Sequence, residues 1–287
     1  MISFSQLGNM GRLGNQFFQV AAVIGAAKDN GLEYRIPEWE VNKYLNRAIE
    51  KSNYYFPQMV YNEKYCTHDP INFGLEEGET LDIDMVGYFQ SEKYFSKHSD
   101  LIRDYFQPSE ELNDHIEEKY GFLFDEEDIA SLHVRMGDYL SLRHVYAATE
   151  LDYYNACLEE CNPKKVLIFS DDIDFCKNIF DRRDNFCYVS ERGHPQHLTS
   201  NTHAAEVDSR SYIGEDLAEL FLMSRCKYNV TTNSSYSWWA AWLNSRKDKQ
   251  VFAPSQWFQR GHLENICDPA KLDNYMDDLI PESWKIM

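Results

Sequence analysis

IASLHVR at 129–135 and KVLIFSDD at 165–172, in the second half of the chain, indicate the fold most clearly. Each is a continuous apolar run that ends in polar or charged residues, as is typical of a strand buried on both faces of a parallel sheet. Helices are predicted after these strands, over 150–161 and 172–180. Strands that alternate with helices predict an α/β fold with parallel sheets whose faces are covered.

The alternation extends on both sides of these strands. Later in the chain, the predicted elements are a strand at 187–189, a loop at 190–214, a helix at 216–227, a strand at 228–232, a helix at 234–243 and a strand at 250–254. In the first half, they are a strand at 2–8, a helix from Asn15 to Asn30, strands at 33–36 and 82–89, and a helix at 91–106. Residues 40–80 are irregular and rich in tyrosine, and they predict no clear element.

An acidic, helical connection between Pro108 and Asp128 separates the two halves. A chain of 287 residues has room for two domains of about 130–150 residues each. We therefore predict two α/β domains, 1–127 and 128–269. We expect the C-terminal segment, 270–287, to pack back on the first domain.

Composition and charge exclude several classes of protein. The 28 Lys and Arg residues are outnumbered by 47 Asp and Glu, which gives a net charge of −19. This balance argues against a nucleic-acid partner, because such binding needs a basic surface. An anionic ligand must instead be held by a few local cations and backbone dipoles.

The cysteines and the apolar segments indicate the cellular compartment of the protein. The seven cysteines include no CxxC pair and no complete set of zinc ligands close in sequence, so we interpret them as reduced thiols. The chain starts without a signal peptide, and its most apolar stretch, 17–27, is too short to span a bilayer. We expect a soluble, cytoplasmic protein with at most peripheral membrane association.

Parallel sheets bind ligands beyond the carboxyl ends of their strands, where four segments of this chain lie. The first, GNMGRLGNQ at 8–16, is a glycine-rich turn into a helix. Its glycines do not have the spacing of the dinucleotide fingerprint, which requires them at positions one, three and six. Asn15 and Gln16 either cap the helix or present amides to a ligand.

The second segment is HVRMGDY at 133–139. Strand alternation places His133 and Arg135 on one face. Arginine is the side chain suited to bidentate recognition of phosphate. A structural ion pair between Arg135 and Asp138 is the alternative interpretation.

The third segment is IFSDDID at 168–174. Asp171 or Asp172 either caps the next helix or binds ribose hydroxyls. The DID triplets at 82–84 and 172–174 also match the DxD metal motif, which is a weak pattern in so acidic a chain.

The fourth segment is TNSSYSWWAAW at 232–242. Asn233, Ser234 and Ser235 precede a helix, where hydroxyls and backbone N–H groups can hold an anion. Capping of the helix by serine is the alternative. Together, the segments predict an anionic nucleotide held by Arg135 and this helix N-terminus.

Six motifs then occur in a fixed order: GRLGNQFFQ (11–19), GYFQSEKYF (87–95), HVRMGDY (133–139), FSDD (169–172), LMSRCK (222–227) and NSSYSWWAAWLN (233–244). In this order they resemble the α-1,2-fucosyltransferases of glycosyltransferase family 11. The resemblance covers the chain from Gly11 to about Phe258.

The resemblance implies a GT-B fold, in which two Rossmann-like domains with parallel sheets face each other across a cleft. It implies GDP-β-L-fucose as donor and a β-galactoside-terminated oligosaccharide or glycolipid as acceptor. Fucose would be transferred to the galactose 2-hydroxyl with inversion and without a metal or other cofactor. Since the chain lacks the membrane anchor of eukaryotic relatives, we expect a bacterial enzyme that modifies a lipid-linked oligosaccharide or a capsular or O-antigen precursor.

The resemblance also implies roles for single residues. Arg135 matches the first Arg of the family's HxRRGD motif and would contact the β-phosphate. Asn15 and Gln16 would face the fucose and the acceptor hydroxyl. The implied contacts of the nucleotide are His133, Asp171, Asp172, Asn233, Ser234, Ser235 and Tyr236.

The chain departs from the family at Met136, where most members carry a second Arg. Part of the expected compensation of phosphate charge is therefore missing, and Arg12 or Arg143 would supply it. Asp138 is the candidate general base because it lies just past Arg135, although it could instead orient that side chain.

Three other functions remain as alternatives. The first is a GT-B transferase with another linkage or donor. The segment 190–214 is a second departure of this chain from the family, since it is longer than usual, and we expect it to reshape the acceptor side. The second is a non-catalytic GDP- or glycan-binding relative whose active site decayed at Met136, against which the intact Arg135 and Asp138 argue. The third is a metal-dependent DxD enzyme.

Overall fold

The computed structural model describes residues 1–52, 57–76, 78–136, 141–180, 184–190 and 213–287. Its strands are β1 (Ile2–Ser3), β2 (Met59–Asn62), β3 (Ile83–Val86), β4 (Ile129–Val134), β5 (Lys165–Ser170), β6 (Phe186–Tyr188), β7 (Tyr228–Val230), β8 (Gln250–Ala253) and β9 (Lys285–Ile286). Its α-helices are α1 (Leu13–Asp29), α2 (Ser99–Tyr105), α3 (Glu110–Tyr120), α4 (Leu151–Cys161), α5 (Ile173–Ile179), α6 (Ile213–Met223), α7 (Ser235–Leu243), α8 (Arg260–Ile266) and α9 (Met276–Leu279). Short 3₁₀ helices span Glu40–Tyr44, Glu92–Tyr94, Ser96–His98, Gly121–Phe124 and Pro269–Lys271.

The chain forms two compact units, the first from residues 1–110 and 264–281 and the second from 111–263 and 282–287. The boundary therefore lies at the first residue of α3, Glu110, whereas we expected it at 127/128. The reason is that α3 is paired with other parts of the second unit: Lys119 donates to Glu215 at 2.9 Å, and Arg225 donates to Glu117 at 2.6 Å.

The C-terminal segment is shared between the units rather than packed on one of them. Residues 264–281 belong to the first unit, where Lys93 and Lys271 hold Asp278 at 2.6 and 3.0 Å. The last residues belong to the second unit, because β9 pairs in parallel with β8.

The first unit is built on a parallel sheet in the order β1-β3-β2. Helix α1 is buried over most of its length, as its apolar sequence predicts. At Gly25 the helix lies close to the backbone of Tyr94, because a Cβ atom there would lie 2.2 Å from the Tyr94 carbonyl oxygen. The Phe17 ring packs edge-on against Phe106, with 4.5 Å between the ring centroids.

Two predicted elements of this unit are wrong. Residues 33–36 form isolated bridges, Ile2–Tyr34 and Ile36–Lys51, rather than a strand. The helix expected over 91–106 is divided, because the chain leaves helical geometry at Phe95, with φ −142° and ψ 4°. Its regular part is α2 alone.

The second unit is built on a parallel sheet in the order β6-β5-β4-β7-β8-β9. The chain runs outward from β4 through β5 to β6, and then returns to the other side of β4 to begin β7. The order therefore reverses between β4 and β7, which is the place where open parallel sheets bind ligands. The buried core around these strands includes Leu132, Tyr154, Ile168, Val230 and Phe252. Among the described residues, no helix has the length and apolar character needed to cross a lipid bilayer.

Candidate active site

Three predicted segments meet at the carboxyl edge of the second unit's sheet. Arg135 follows β4, Asp171 follows β5, and residues 231–234 join β7 to α7. Because β4 is paired with both β5 and β7, these segments are neighbours at the point where the strand order reverses.

Arg135 and Asp171 form an ion pair at this edge. Nη1 of Arg135 lies 2.5 Å from Oδ2 of Asp171, and the two side chains are 13% and 9% exposed. The other carboxylate oxygen, Oδ1, accepts the backbone N–H of Met136 at 2.9 Å. Asp171 thus orients the guanidinium, a role for which Asp138 was the candidate in the sequence. Asp138 lies outside the described residues.

His133 lies two residues before Arg135 and is 5% exposed. Burial lowers its pKa to about 3, an effect that Asp171 opposes and Arg135 reinforces. The ring is therefore neutral near pH 7, so Arg135 rather than His133 supplies positive charge here. Its Nδ1 has no hydrogen-bond partner among the described residues, and its ring is tilted against that of Tyr236 with 5.5 Å between the centroids.

The N-terminus of α7 has the features of an anion site. Ser234 occupies the N-cap position but makes no side-chain capping bond. The hydroxyls of Ser234 and Ser235 make no hydrogen bond within the described parts of the chain. The first backbone N–H groups of a helix also have no carbonyl partner within it, and the helix dipole favours negative charge there.

Asn233 and Tyr236 donate hydrogen bonds to backbone carbonyl oxygens, which the sequence did not predict. Asn233 is 1% exposed, and its Nδ2 donates to the carbonyl oxygens of Ala147 and Trp257 at 2.7 and 3.0 Å. The Tyr236 hydroxyl donates to the Asp216 carbonyl oxygen at 2.5 Å. Asn233 is thus bonded inside the protein, where it fixes the loop ahead of α7, and it is not exposed to a nucleotide.

Asp172 caps a helix, which was one of the two roles that we predicted for it, the other being to bind ribose hydroxyls. It caps α5, and its Oδ1 accepts the backbone N–H of Phe175 at 2.9 Å.

The carboxylates of the DxD triplets are likewise engaged within the protein. Asp82 is 3.1 Å from the N-terminal amine, and Asp84 accepts the Ser5 hydroxyl at 2.6 Å. In the described parts of the chain, no group of three His, Cys, Asp or Glu side chains is placed to hold a metal ion.

The candidate residues of the first unit lie at the start of α1. Arg12 is the N-cap residue, with φ −92° and ψ −173°. Oδ1 of Asn15 accepts from Nε2 of Gln90 at 2.7 Å, and Oε1 of Gln16 accepts from the Trp39 indole at 2.8 Å. Neither amide caps the helix, so the capping interpretation of both was wrong. Arg143, the other candidate for charge compensation, is an exposed residue of the second unit.

Glu63, which directly follows β2, is a site residue that we did not predict from the sequence. Its carboxylate accepts the backbone N–H groups of Tyr88 and Phe89 at 2.7 and 3.0 Å. Burial raises its pKa to about 7, an effect that the hydrogen bonds from Phe89, Tyr88 and Tyr94 oppose. No signal in the sequence marks this acid among so many, because the strand before it was not predicted.

The raised pKa makes the stability of the protein depend on pH in a defined direction. Between pH 4.5, the ordinary pKa of a Glu, and about pH 7, the folded state keeps a proton on Glu63 that the unfolded state has lost. Glu63 therefore makes the free energy of unfolding fall as the pH rises through this window. Tyr61, Cys66 and Tyr94 face Glu63 and stay neutral there, because burial raises the pKa of each.

We expect the E63Q variant to lose this slope, which amounts to roughly 1–3 kcal/mol between pH 5 and pH 7.5. Urea unfolding of both proteins at the two pH values measures it. The exposed Glu33 provides the control variant, E33Q. Equal slopes in wild type and E63Q would contradict the assignment.

The fold of this chain is similar to that of solved fucosyltransferase structures. A solved structure of the NodZ alpha-1,6-fucosyltransferase soaked with GDP-fucose, a Bradyrhizobium protein, matches with a TM-score of 0.52 at 14% identity, over 84% of this chain and 92% of that one. Together with the two parallel sheets, this likeness defines the class: the fold is α/β and GT-B-like.

The sequence comparisons identify the family. The model for glycosyl transferase family 11 matches residues 5–265. The O-antigen biosynthesis glycosyltransferase WbnK of Escherichia coli is 30% identical over 78% of this chain and 68% of its own length. The alpha-1,2-colitosyltransferase of the same species is 29% identical, over 84% of this chain and 73% of its own length. The chain belongs to glycosyltransferase family 11.

Proposed function

We propose that this glycosyltransferase moves L-fucose from GDP-β-L-fucose to the 2-hydroxyl of a terminal β-galactoside, with inversion at the anomeric carbon. Family membership and the α-1,2 linkage named for one relative support this proposal. The observation that carries it is the guanidinium of Arg135, held by Asp171 beside the N-terminus of α7 at the reversal of strand order. This arrangement suits the diphosphate of a sugar nucleotide.

The reaction breaks the bond between the anomeric carbon and the β-phosphate oxygen, and forms one to the acceptor oxygen. Negative charge develops on the β-phosphate as GDP leaves, and Arg135 together with the first turn of α7 would stabilise it. The hydroxyl proton passes to a general base, for which Asp138 remains our candidate. The neutral His133 would serve as a hydrogen-bond partner rather than as a charge.

Met136 does not supply the charge of the missing second arginine. Its backbone N–H is bonded to Asp171, and its partly buried side chain packs against the core of the second unit. Arg12 and Arg143 remain our candidates for that charge. The dipole of α7 offers further compensation that needs no side chain.

The natural acceptor is proposed to be an O-antigen precursor, because one relative is named for O-antigen biosynthesis. The relative named as an alpha-1,2-colitosyltransferase suggests a second candidate for the donor, GDP-colitose, from which colitose would be transferred. Competition between GDP-fucose and GDP-colitose, with lactose as acceptor, tests the donor. We expect a higher kcat/KM with GDP-fucose, and the reverse order would establish the second candidate.

We expect Asn15→Ala to reduce turnover by about tenfold or more while leaving the Kd for GDP within about twofold. The reason is that Asn15 lies in the first unit, whereas the proposed nucleotide contacts lie in the second. Steady-state kinetics and calorimetric titration with GDP measure the two effects. Asn46→Ala, an exposed position in the same unit, is the control. Lost GDP affinity with unchanged turnover would refute the role of Asn15.

A further inference from the structure

Three segments of the first unit lie at the carboxyl edge of its sheet. The glycine-rich turn at 8–12 follows β1, Glu63 follows β2, and the turn at 87–90 follows β3. Since β3 is the central strand, the turn at 87–90 lies between the other two segments. This edge of a parallel sheet is where ligands bind.

The turn at 87–90 has an unusual backbone that Glu63 holds in place. Gly87 has φ +157°, and a Cβ atom there would lie 2.4 Å from Cβ of Glu63. Phe89 has φ +51°, which is uncommon for a residue other than glycine. The backbone N–H groups of Tyr88 and Phe89 both donate to the Glu63 carboxylate. Strained backbone that is fixed in this way is concentrated at functional sites.

Further bonds join this turn to the start of α1. Gln19 is fully buried, and its Nε2 donates to the carbonyl oxygens of Met10 and Gly87 at 2.9 and 3.2 Å. Gln90 donates to Asn15 at 2.7 Å. The turn and the start of α1 are therefore one connected structure.

This structure presents a ring and two amide groups. The Tyr88 side chain is 44% exposed, and among the described residues it makes no hydrogen bond and no ring contact. In the Gln90–Asn15 pair, Oε1 of Gln90 and Nδ2 of Asn15 have no hydrogen-bond partner within the described chain. The pair thus offers one acceptor and one donor. Gly11 makes room for Asn15, because a Cβ atom there would lie 2.4 Å from Nδ2.

We propose that the turn at 87–90 binds the acceptor sugar, with the Tyr88 ring against its C–H face and Gln90 and Asn15 bonded to its hydroxyls. A pyranose has one apolar face and a rim of hydroxyls that donate and accept, which matches an aromatic ring beside an amide pair. Glu63 is a positioning residue that holds the turn. The identity of the sugar, a β-galactoside, rests on the proposed function.

The first test measures sugar binding without turnover. Saturation-transfer NMR with lactose and with N-acetyllactosamine is applied to wild type, Tyr88→Ala and Tyr88→Phe. We expect Tyr88→Ala to weaken binding about five- to tenfold and Tyr88→Phe to lose much less, because the ring remains. Phe122→Ala, at a 73% exposed aromatic residue of the second unit, is the matched control.

The second test separates positioning from general folding. We expect Glu63→Gln to raise the acceptor KM about tenfold while the Kd for GDP and the thermal midpoint at pH 7.5 change little. In an Asn15→Ala background, the same substitution should have a smaller effect, because both act on one hydrogen-bonded structure. A loss of GDP affinity equal to the loss in acceptor KM would show a general folding defect and overturn the role of Glu63.

The outcomes distinguish this inference from the proposed function. If wild type binds the sugars through Tyr88 but does not consume GDP-fucose, the acceptor site stands and the proposed donor fails. If neither sugar binds to wild type, or if Tyr88→Ala binds them equally well, the inference is overturned even when transfer occurs.

Discussion

Replacing Arg135 by lysine is expected to slow transfer almost as much as replacing it by alanine. Both variants should lose about 10²- to 10³-fold in kcat, the usual effect of removing a group that stabilises charge in the transition state. Asp171 holds the guanidinium at 2.5 Å, and a planar, forked cation in that orientation cannot be replaced by the point charge of an ammonium. Steady-state release of GDP measures the effect.

Arg246→Lys is the control for that substitution. Arg246 lies in the same unit but pairs with Asp248 on the surface, so its replacement should leave kcat unchanged. Turnover like that of wild type in Arg135→Lys would refute the role assigned to Arg135. The site would then depend on the N-terminus of α7 for its positive potential.

Replacing Asn233 by aspartate is expected to destabilise the second unit by roughly 3 kcal/mol or more. The substitution keeps the shape of the side chain but turns its donor into an acceptor that faces the carbonyl oxygens of Ala147 and Trp257. Three oxygens would then meet in a site that is 1% exposed. For a domain of this size, the thermal midpoint should fall by roughly 6–12 °C.

Asn178→Asp, at an exposed position in the same unit, should shift the midpoint by much less. The comparison is made by calorimetry on both variants. If Asn233→Asp unfolds with the wild-type midpoint but loses GDP binding, Asn233 contacts the nucleotide, as the sequence resemblance implied, and its buried bonds are not structural.

The parallel fold could be predicted from sequence because its central strands are long apolar runs. β4 and β5 were expected at 129–135 and 165–172 and span Ile129–Val134 and Lys165–Ser170. β2 was not foreseen because it lies in an irregular stretch and alternates between half-buried and exposed residues. β9 has two residues, too few for any periodic pattern.

The single segments of the candidate site could be predicted from the sequence, but the contacts between their side chains could not. An arginine at a strand end and serines before a helix are local signals, and the structure places both at one edge. The partner of Arg135 was missed because the Arg135–Asp171 pair requires β4 to lie beside β5 in the correct register, with Val134 opposite Ser170. A linear sequence does not specify that register. Glu63 was missed for the same reason, since its role depends on the pairing of β2 with β3.

Fucosyl transfer itself is measured by the release of GDP from GDP-fucose in the presence of a metal chelator, with and without lactose. The linkage of the product is then determined by NMR. We expect release to depend on lactose and to persist in chelator, and the product to carry an α-1,2 linkage to galactose. GDP binding without transfer to lactose or N-acetyllactosamine, or a product with another linkage, would contradict this expectation.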